Sequence, residues 1–159
     1  SLDTTLSNRL VKRLLIDQEL SFLKDFIFEK QEISVGKHRI DFLLQGKNSR
    51  LFYLEVKSVT YVSNQIARFP DAVTVRGAKH MEVLAKLAAQ KNTEAGVLFI
   101  CQRPDAVEFR PMWDRDPAFG QALTKAFNSG VKAWCITTRV SLEDISVFNE
   151  IPVNLKSKP

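Results

Sequence analysis

Residues 38–57 read HRIDFLLQGKNSRLFYLEVK, and the fold is read outward from them. Two apolar runs, Ile40 to Leu44 and Leu51 to Val56, are divided by Gly46, Lys47, Asn48 and Ser49. Apolar runs separated by a short turn-forming segment predict a β-hairpin with a loop longer than two residues. Side chains alternate along a strand. Phe52, Leu54 and Val56 therefore share one face of the second strand, and Tyr53, Glu55 and Lys57 share the other. On the first strand Ile40, Phe42 and Leu44 are expected to face one way, and Arg39, Asp41 and Leu43 the other. Both sides can pack against helices, while Asp41, Glu55 and Lys57 converge at one end.

An acid on one strand with Glu-x-Lys on the next is the arrangement of PD-(D/E)xK nuclease sites. The chemistry accounts for the residue types. A hard cation such as Mg²⁺ takes carboxylate oxygens and keeps several waters, and Asp41 and Glu55 would supply the oxygens. Residues i and i+2 lie about 6–7 Å apart along a strand. Lys57 then stands beside the metal without ligating it, placed to orient a water or to stabilise charge on a phosphate. The same spacing also occurs on solvated strand edges, so the pattern alone leaves both readings open.

Composition bounds the rest. A chain of 159 residues, 45% hydrophobic and 26% charged, fits one soluble domain with a substantial core. The formal net charge is +5 and the pI about 9.3, which is compatible with nucleic acid as partner. No apolar run has the length of a membrane span and no signal peptide opens the chain. Cys101 and Cys135 lie in apolar strands and read as free buried thiols, which suits a cytoplasmic location. Two cysteines and two histidines, widely scattered, make no zinc site. The absence of an initiator Met marks a processed chain or an excised fragment.

Elsewhere, hydrophobic periodicity predicts a helix over 4–16, capped by Asp3 or Thr4. Arg9, Lys12 and Arg13 share one face of it, either solvated or in contact with phosphates. A helical turn is expected over 21–26, and a first strand, carrying Glu32, runs from Ile27 to Val35. Ser58 to Arg68 reads as irregular. A helix capped by Thr74 runs from about Val75 to Gln90, with His80 near its buried edge as a hydrogen-bonded packing residue. Gly77 in its first turn suggests a close backbone approach. A buried strand covers Ala95 to Cys101, and a short one Val107 to Phe109. A helix capped by Asp116 runs from Pro117 to Asn128, followed by a strand over Val131 to Val140 and a polar tail from Ser141. Helix, three strands, helix, strand, helix, strand is the αβββαβ order of the restriction-endonuclease-like fold, an α/β mixed sheet flanked by helices.

The chain resembles the sugar fermentation stimulation protein A (SfsA) family. Asn8-Arg9-Leu10, Arg39-Ile40-Asp41-Phe42 and Glu55 to Thr60 (EVKSVT) carry the resemblance. So does Phe69 to Thr74 (FPDAVT), with Arg76-Gly77 and Lys79-His80. Gln102 to Asp105 and Ile151 to Val153 match more loosely. The resemblance implies a cytoplasmic DNA-binding protein with a nuclease-like domain, linked to control of sugar-utilisation genes. It also implies a preceding OB-fold domain, which is absent from these residues. The family's site maps onto Glu32, Asp41, Glu55 and Lys57, with Asp71, Arg76, Lys79 and His80 in a second motif of unknown role. Two departures are His38, where Ser is usual, and Val75, where the family has Glu.

Two functions follow. The first is phosphodiester hydrolysis of DNA with Mg²⁺ or Mn²⁺ on Asp41, Glu55 and the Val56 carbonyl, Lys57 positioning the water and Glu32 in support. Arg9, Lys12, Arg13 and Arg39 would contact phosphates. The second is a catalytically silent DNA-binding or regulatory module. The sequence leaves substrate structure and homo-oligomerisation open.

Overall fold

The computed structural model describes residues 4–157. In chain order the elements are α1 (Thr4–Ile16), β1 (Ile27–Val35), β2 (His38–Gln45), β3 (Leu51–Val59), β4 (Tyr61–Ser63), β5 (Ile66–Phe69), α2 (Val75–Ala88), β6 (Thr93–Cys101), β7 (Glu108–Pro111), α3 (Pro117–Asn128), β8 (Lys132–Val140) and β9 (Ile145–Ile151). The cap expected from Asp3 or the Thr4 side chain falls outside the described residues.

The central sheet has the order β1-β2-β3-β6-β8-β9. β1, β2 and β3 are antiparallel neighbours, because short connections join them. β3, β6 and β8 are parallel, and α2 and α3 supply the crossovers that parallel pairing requires. Each face of the sheet buries a core. On one side Leu10, Val11 and Leu14 of α1 pack on Phe42, Leu44, Phe52, Leu54 and Leu98. On the other, Met81, Leu84 and Leu87 of α2 and Phe119 and Leu123 of α3 pack on Val97 and Phe99. β6 is buried from Ala95 to Cys101 because helices cover both of its faces.

Helix starts are fixed by side-chain oxygens. Thr74 Oγ1 accepts the Gly77 amide at 2.9 Å. Asp116 Oδ1 accepts the Phe119 amide at 3.0 Å, and its Oδ2 accepts the Thr74 amide at 2.9 Å. One buried carboxylate thus ties the starts of α2 and α3 together, each cap being worth about 0.5–2 kcal/mol. The tight approach expected at Gly77 is present: a Cβ there would lie 2.6 Å from Thr74 Cγ2 and 3.3 Å from Phe119 Cδ1.

Three expectations fail. Ser58 to Arg68 is not irregular; it holds the end of β3 and also β4 and β5, which form a second sheet of order β4-β5-β7. The polar tail contains β9, an edge strand with only Ile145 and Ile151 buried. Ile40 does not share a face with Phe42 and Leu44. It packs in the α2–α3 core while they pack in the α1 core.

The last difference has a local cause. Cross-strand pairs between β2 and β3 run from Gln45↔Leu51 to Phe42↔Leu54 and stop there. Pairs between β1 and β2 include Gln31↔Phe42 and Ile33↔Ile40 but skip Glu32 and Asp41, and Glu32 has φ +57°. β2 therefore breaks its alternation at Asp41 and parts from β3.

Candidate active site

The parting of β2 from β3 makes a slot, and the slot holds Asp41. Two side-chain bonds take over where the ladder stops. Asp41 Oδ2 accepts the Val56 amide at 2.8 Å, and the Asp41 amide donates to Glu55 Oε1 at 3.3 Å. These bonds satisfy backbone donors that separation of the strands would otherwise strand. From the α1 side Asn8 Nδ2 donates to Asp41 Oδ1 at 3.1 Å. A hydroxyl pair fastens α1 to the next residues of β3: Ser58 Oγ donates to Ser7 Oγ at 2.8 Å, with Gln102 Nε2 at 3.4 Å.

Glu55 faces the opposite side and is 2% exposed. Its Oε2 accepts from Lys57 Nζ at 3.0 Å and from His80 Nδ1 through a short contact. Lys57 follows Glu55 by two residues, so alternation puts both on the α2 face. His80 comes from the buried face of α2. The electrostatics split the two acids. Burial, the Glu55 charge and a hydrogen bond shared with Glu55 push the Asp41 carboxyl up to about 7, against the pull of the Val56 amide and Asn8. Burial also pushes Glu55 up, but the His80 hydrogen bond, the Lys57 charge and the bond from Asp41 together bring it down to about 2. One neutral and one charged carboxyl side by side is the usual outcome for a pair of close buried acids.

Two clefts meet at Asp41. One, of about 330 Å³, lies against α1 and is lined by Asn8, Arg9, Lys12, Gln31, Glu32 and Asp41. The other, of about 550 Å³, lies against α2 and is lined by Glu32, Lys37, Arg39, Asp41, Arg76 and His80. A larger cavity of about 690 Å³, lined by Lys24, Gln45 and Arg50 among others, holds none of the predicted site residues. Among the described residues, no three His, Cys, Asp or Glu side chains form a ready cation cage.

A family model described as "Sugar fermentation stimulation protein RE domain" matches residues 5–144. The chain belongs to the sugar fermentation stimulation protein family. It is 38% identical over 155 residues to a homologue from Desulforamulus reducens, covering 98% of this chain and 64% of the relative. It is 41% identical over 155 residues to one from Shouchella clausii, covering 96% and 66%. The chain thus spans about two thirds or less of the length of these relatives. The solved structure of Pyrococcus furiosus SfsA in complex with Ca²⁺ superposes with a TM-score of 0.88 at 27% identity, covering 96% of this chain and 65% of that one.

The other positions singled out in this family member separate. Glu32 is exposed, pairs with Arg39 at 3.5 Å and lines both clefts beside Asp41, with no hydrogen bond to either acid among the described residues. Arg13 turns away from the site, to Asp144 at 3.1 Å and to the Ile145 carbonyl at 2.8 Å. The second motif divides in two. Asp71 pairs with Arg115 and Lys79 with Glu82, all well exposed, whereas Arg76 and His80 line the α2-side cleft. Val75, where the resemblance implied Glu, is 73% exposed. His80 is hydrogen-bonded, as its position suggested, but its partner is Glu55. The signal that could have found it is a His on an otherwise apolar helical face, which needs a buried polar partner. Asn8 and Ser7 gave no signal of their own beyond the resemblance at Asn8. Among the described residues no helix is long and apolar enough to cross a membrane.

Proposed function

We propose that Asp41, Glu55 and Lys57 form a divalent-metal phosphodiesterase site acting on nucleic acid, DNA foremost, on a restriction-endonuclease-like αβββαβ core. The observation that carries this is the acid pair in its slot. Two carboxyls are held together, Glu55 buried and Asp41 half-buried at about 7, and the clefts that reach Asp41 carry Arg9, Lys12, Lys37, Arg39 and Arg76. Buried like charges are costly unless a cation joins them, and cationic walls suit a phosphate backbone.

The donor set fits a hard cation. Asp41, Glu55 and the Val56 carbonyl are all oxygen donors, and three such ligands leave room for the waters that Mg²⁺ or Mn²⁺ retains. The Ca²⁺ in the Pyrococcus furiosus relative supports the same donor type. Such a cation supplies charge neutralisation at a phosphate and a more acidic water. The chain's own residues do the rest. Lys57, 16% exposed and braced against Glu55, holds one ammonium beside the acid pair to orient water and stabilise phosphate charge. Asn8 and the Val56 amide keep the Asp41 oxygens in place. Two free buried thiols fit a reducing cytoplasm. One observation favours a silent binding module instead: Glu55 Oε2 already serves two donors.

The deciding experiment is Lys57→Ala. An ammonium has no lone pair to give a metal. The variant should keep Mn²⁺ affinity in calorimetry, keep DNA binding in Ca²⁺, and lose cleavage of plasmid and single-stranded DNA. A native protein that cuts no duplex, single-stranded, branched or RNA substrate with any divalent metal would leave the binding module as the function.

A further inference from the structure

The second motif is where the structure adds most, because only half of it faces the site. Arg76 and His80 are one turn apart on α2, so their side chains lie on the same face. Both line the cleft that ends at Asp41, together with Lys37 of the turn between β1 and β2 and Arg39 of β2. Lys79, between them in sequence, points elsewhere and pairs with Glu82 at 3.6 Å.

His80 is held by one edge. The short contact joins His80 Nδ1 to Glu55 Oε2, a ring nitrogen to a carboxyl oxygen, and ties the imidazole to Glu55 by that edge. Lys57 Nζ lies 3.0 Å from the same oxygen and 3.3 Å from Nδ1. Carboxylate, ammonium and imidazole therefore fix one another, although His80 is only 3% exposed. Nε2 has no hydrogen-bond partner among the described residues, yet it is not sealed off as an orphaned polar atom. The ring lines the cleft with the His38 ring edge-on against it, 5.7 Å between centroids. Arg76 is exposed and has no acidic partner among the described residues, so its guanidinium is free to grip an oxyanion.

We propose that α2 forms the second wall of the active site: Arg76 binds a backbone phosphate of the nucleic-acid strand, and His80 is a positioning residue that holds Glu55 and Lys57 through Nδ1. This deepens the function proposed above and rests on it.

The test uses the whole chain and a labelled single-stranded oligonucleotide, bound in Ca²⁺ over a range of salt. Loss of one phosphate contact lowers the slope of log K against log salt by about 0.7. Arg76→Ala should show that drop and weaker binding, and Lys79→Ala should show neither. If the two variants behave alike, the inference falls and the hydrolytic reading stands. For His80 the order of variants decides. The amide of Asn reaches where Nδ1 lies, while Gln better matches the size of the ring. Positioning through Nδ1 predicts that His80→Asn keeps more Mn²⁺-dependent cleavage than His80→Gln or His80→Ala. Those two should lose about tenfold or more, the value of a charge-assisted bond. A simple packing role gives the reverse order, Gln above Asn, and overturns the assignment. Should the native protein bind but never cut, hydrolysis fails as the function. The Arg76 comparison and the same His80 order read in Mn²⁺ affinity still decide the inference. A native protein that does not bind the oligonucleotide overturns both.

Discussion

Asp41→Asn should make the metal-free protein more stable at alkaline pH, although it deletes a central residue of the site. The Asp41 carboxyl is pushed up to about 7 from an ordinary 3.8. A raised folded-state pKa means that the folded protein holds the proton more tightly than the unfolded chain. Asp41 therefore costs no stability well below 3.8, and the penalty grows from there to about 7 and is constant above it. Glu55 works in the opposite sense. Its value of about 2, down from 4.5, gives stability that is present above pH 4.5 and is lost as pH falls through 2. Between pH 4.5 and about 7 the slope thus comes from Asp41, and above that it flattens. At 1.36 kcal/mol per tenfold, the gap between 3.8 and about 7 sets a ceiling of about 4 kcal/mol. The side chain keeps some contact with water, so about half of that is expected at pH 8.5. An amide mimics the neutral acid: its oxygen can still take the Val56 amide, and the Asn8 amide can turn to accept from its NH₂. The assay is urea unfolding in EDTA at several pH values, comparing native and variant. The advantage of the variant should be near zero at about pH 3, grow between about pH 4 and 7, and level off by about pH 8.5. An advantage that does not change with pH, or a variant that is worse at pH 8.5, refutes the account. Excess Ca²⁺ should then stabilise the native protein and leave the variant behind, because only binding to the folded state raises stability.

Two further predictions concern the scaffold. A Cβ at Gly96 would lie 2.9 Å from Phe52 Cζ and 3.0 Å from Trp134 Cζ3; Gly96→Ala should cost about 1–3 kcal/mol in urea unfolding through overpacking, and an unchanged midpoint would show that the rings yield freely. Ser7 is fully buried and takes the Ser58 hydroxyl at 2.8 Å; Ser7→Ala should cost about 1–3 kcal/mol by leaving that hydroxyl without its acceptor, and a cost indistinguishable from zero would mean that Ser58 finds another partner.

The hairpin was legible because its information is local. Alternation between Leu51 and Lys57 puts Glu55 and Lys57 on one face, and Asn48 and Ser49, both at positive φ, mark the turn. β6 announced itself as an apolar run, and α3 by Asp116 followed by Pro117. What escaped depends on pairing at a distance. β4 has three residues and β5 four, and β5 pairs in parallel with β7 some forty positions on. β9 exposes every residue between Ile145 and Ile151, so it carries no apolar period. His80 meets Glu55 across 25 positions and Asn8 meets Asp41 across 33. No pattern within either segment encodes such meetings. The break at Asp41 was invisible for a different reason: HRIDFLLQ reads as an unbroken strand, and only the missing pairs on both sides show that it parts from its neighbours.

The slot at Asp41 bears on how such sites are found in other chains. Between it and the Lys47–Ser49 turn stand the cross-strand pairs Phe42↔Leu54, Leu43↔Tyr53, Leu44↔Phe52 and Gln45↔Leu51. These rungs insulate the acids from the turn. Residues added or removed at the turn would change the count between the two acids without moving either carboxyl. The interval between Asp41 and Glu55 is therefore an accident of turn length, and a search keyed to that interval passes over chains whose register is the same.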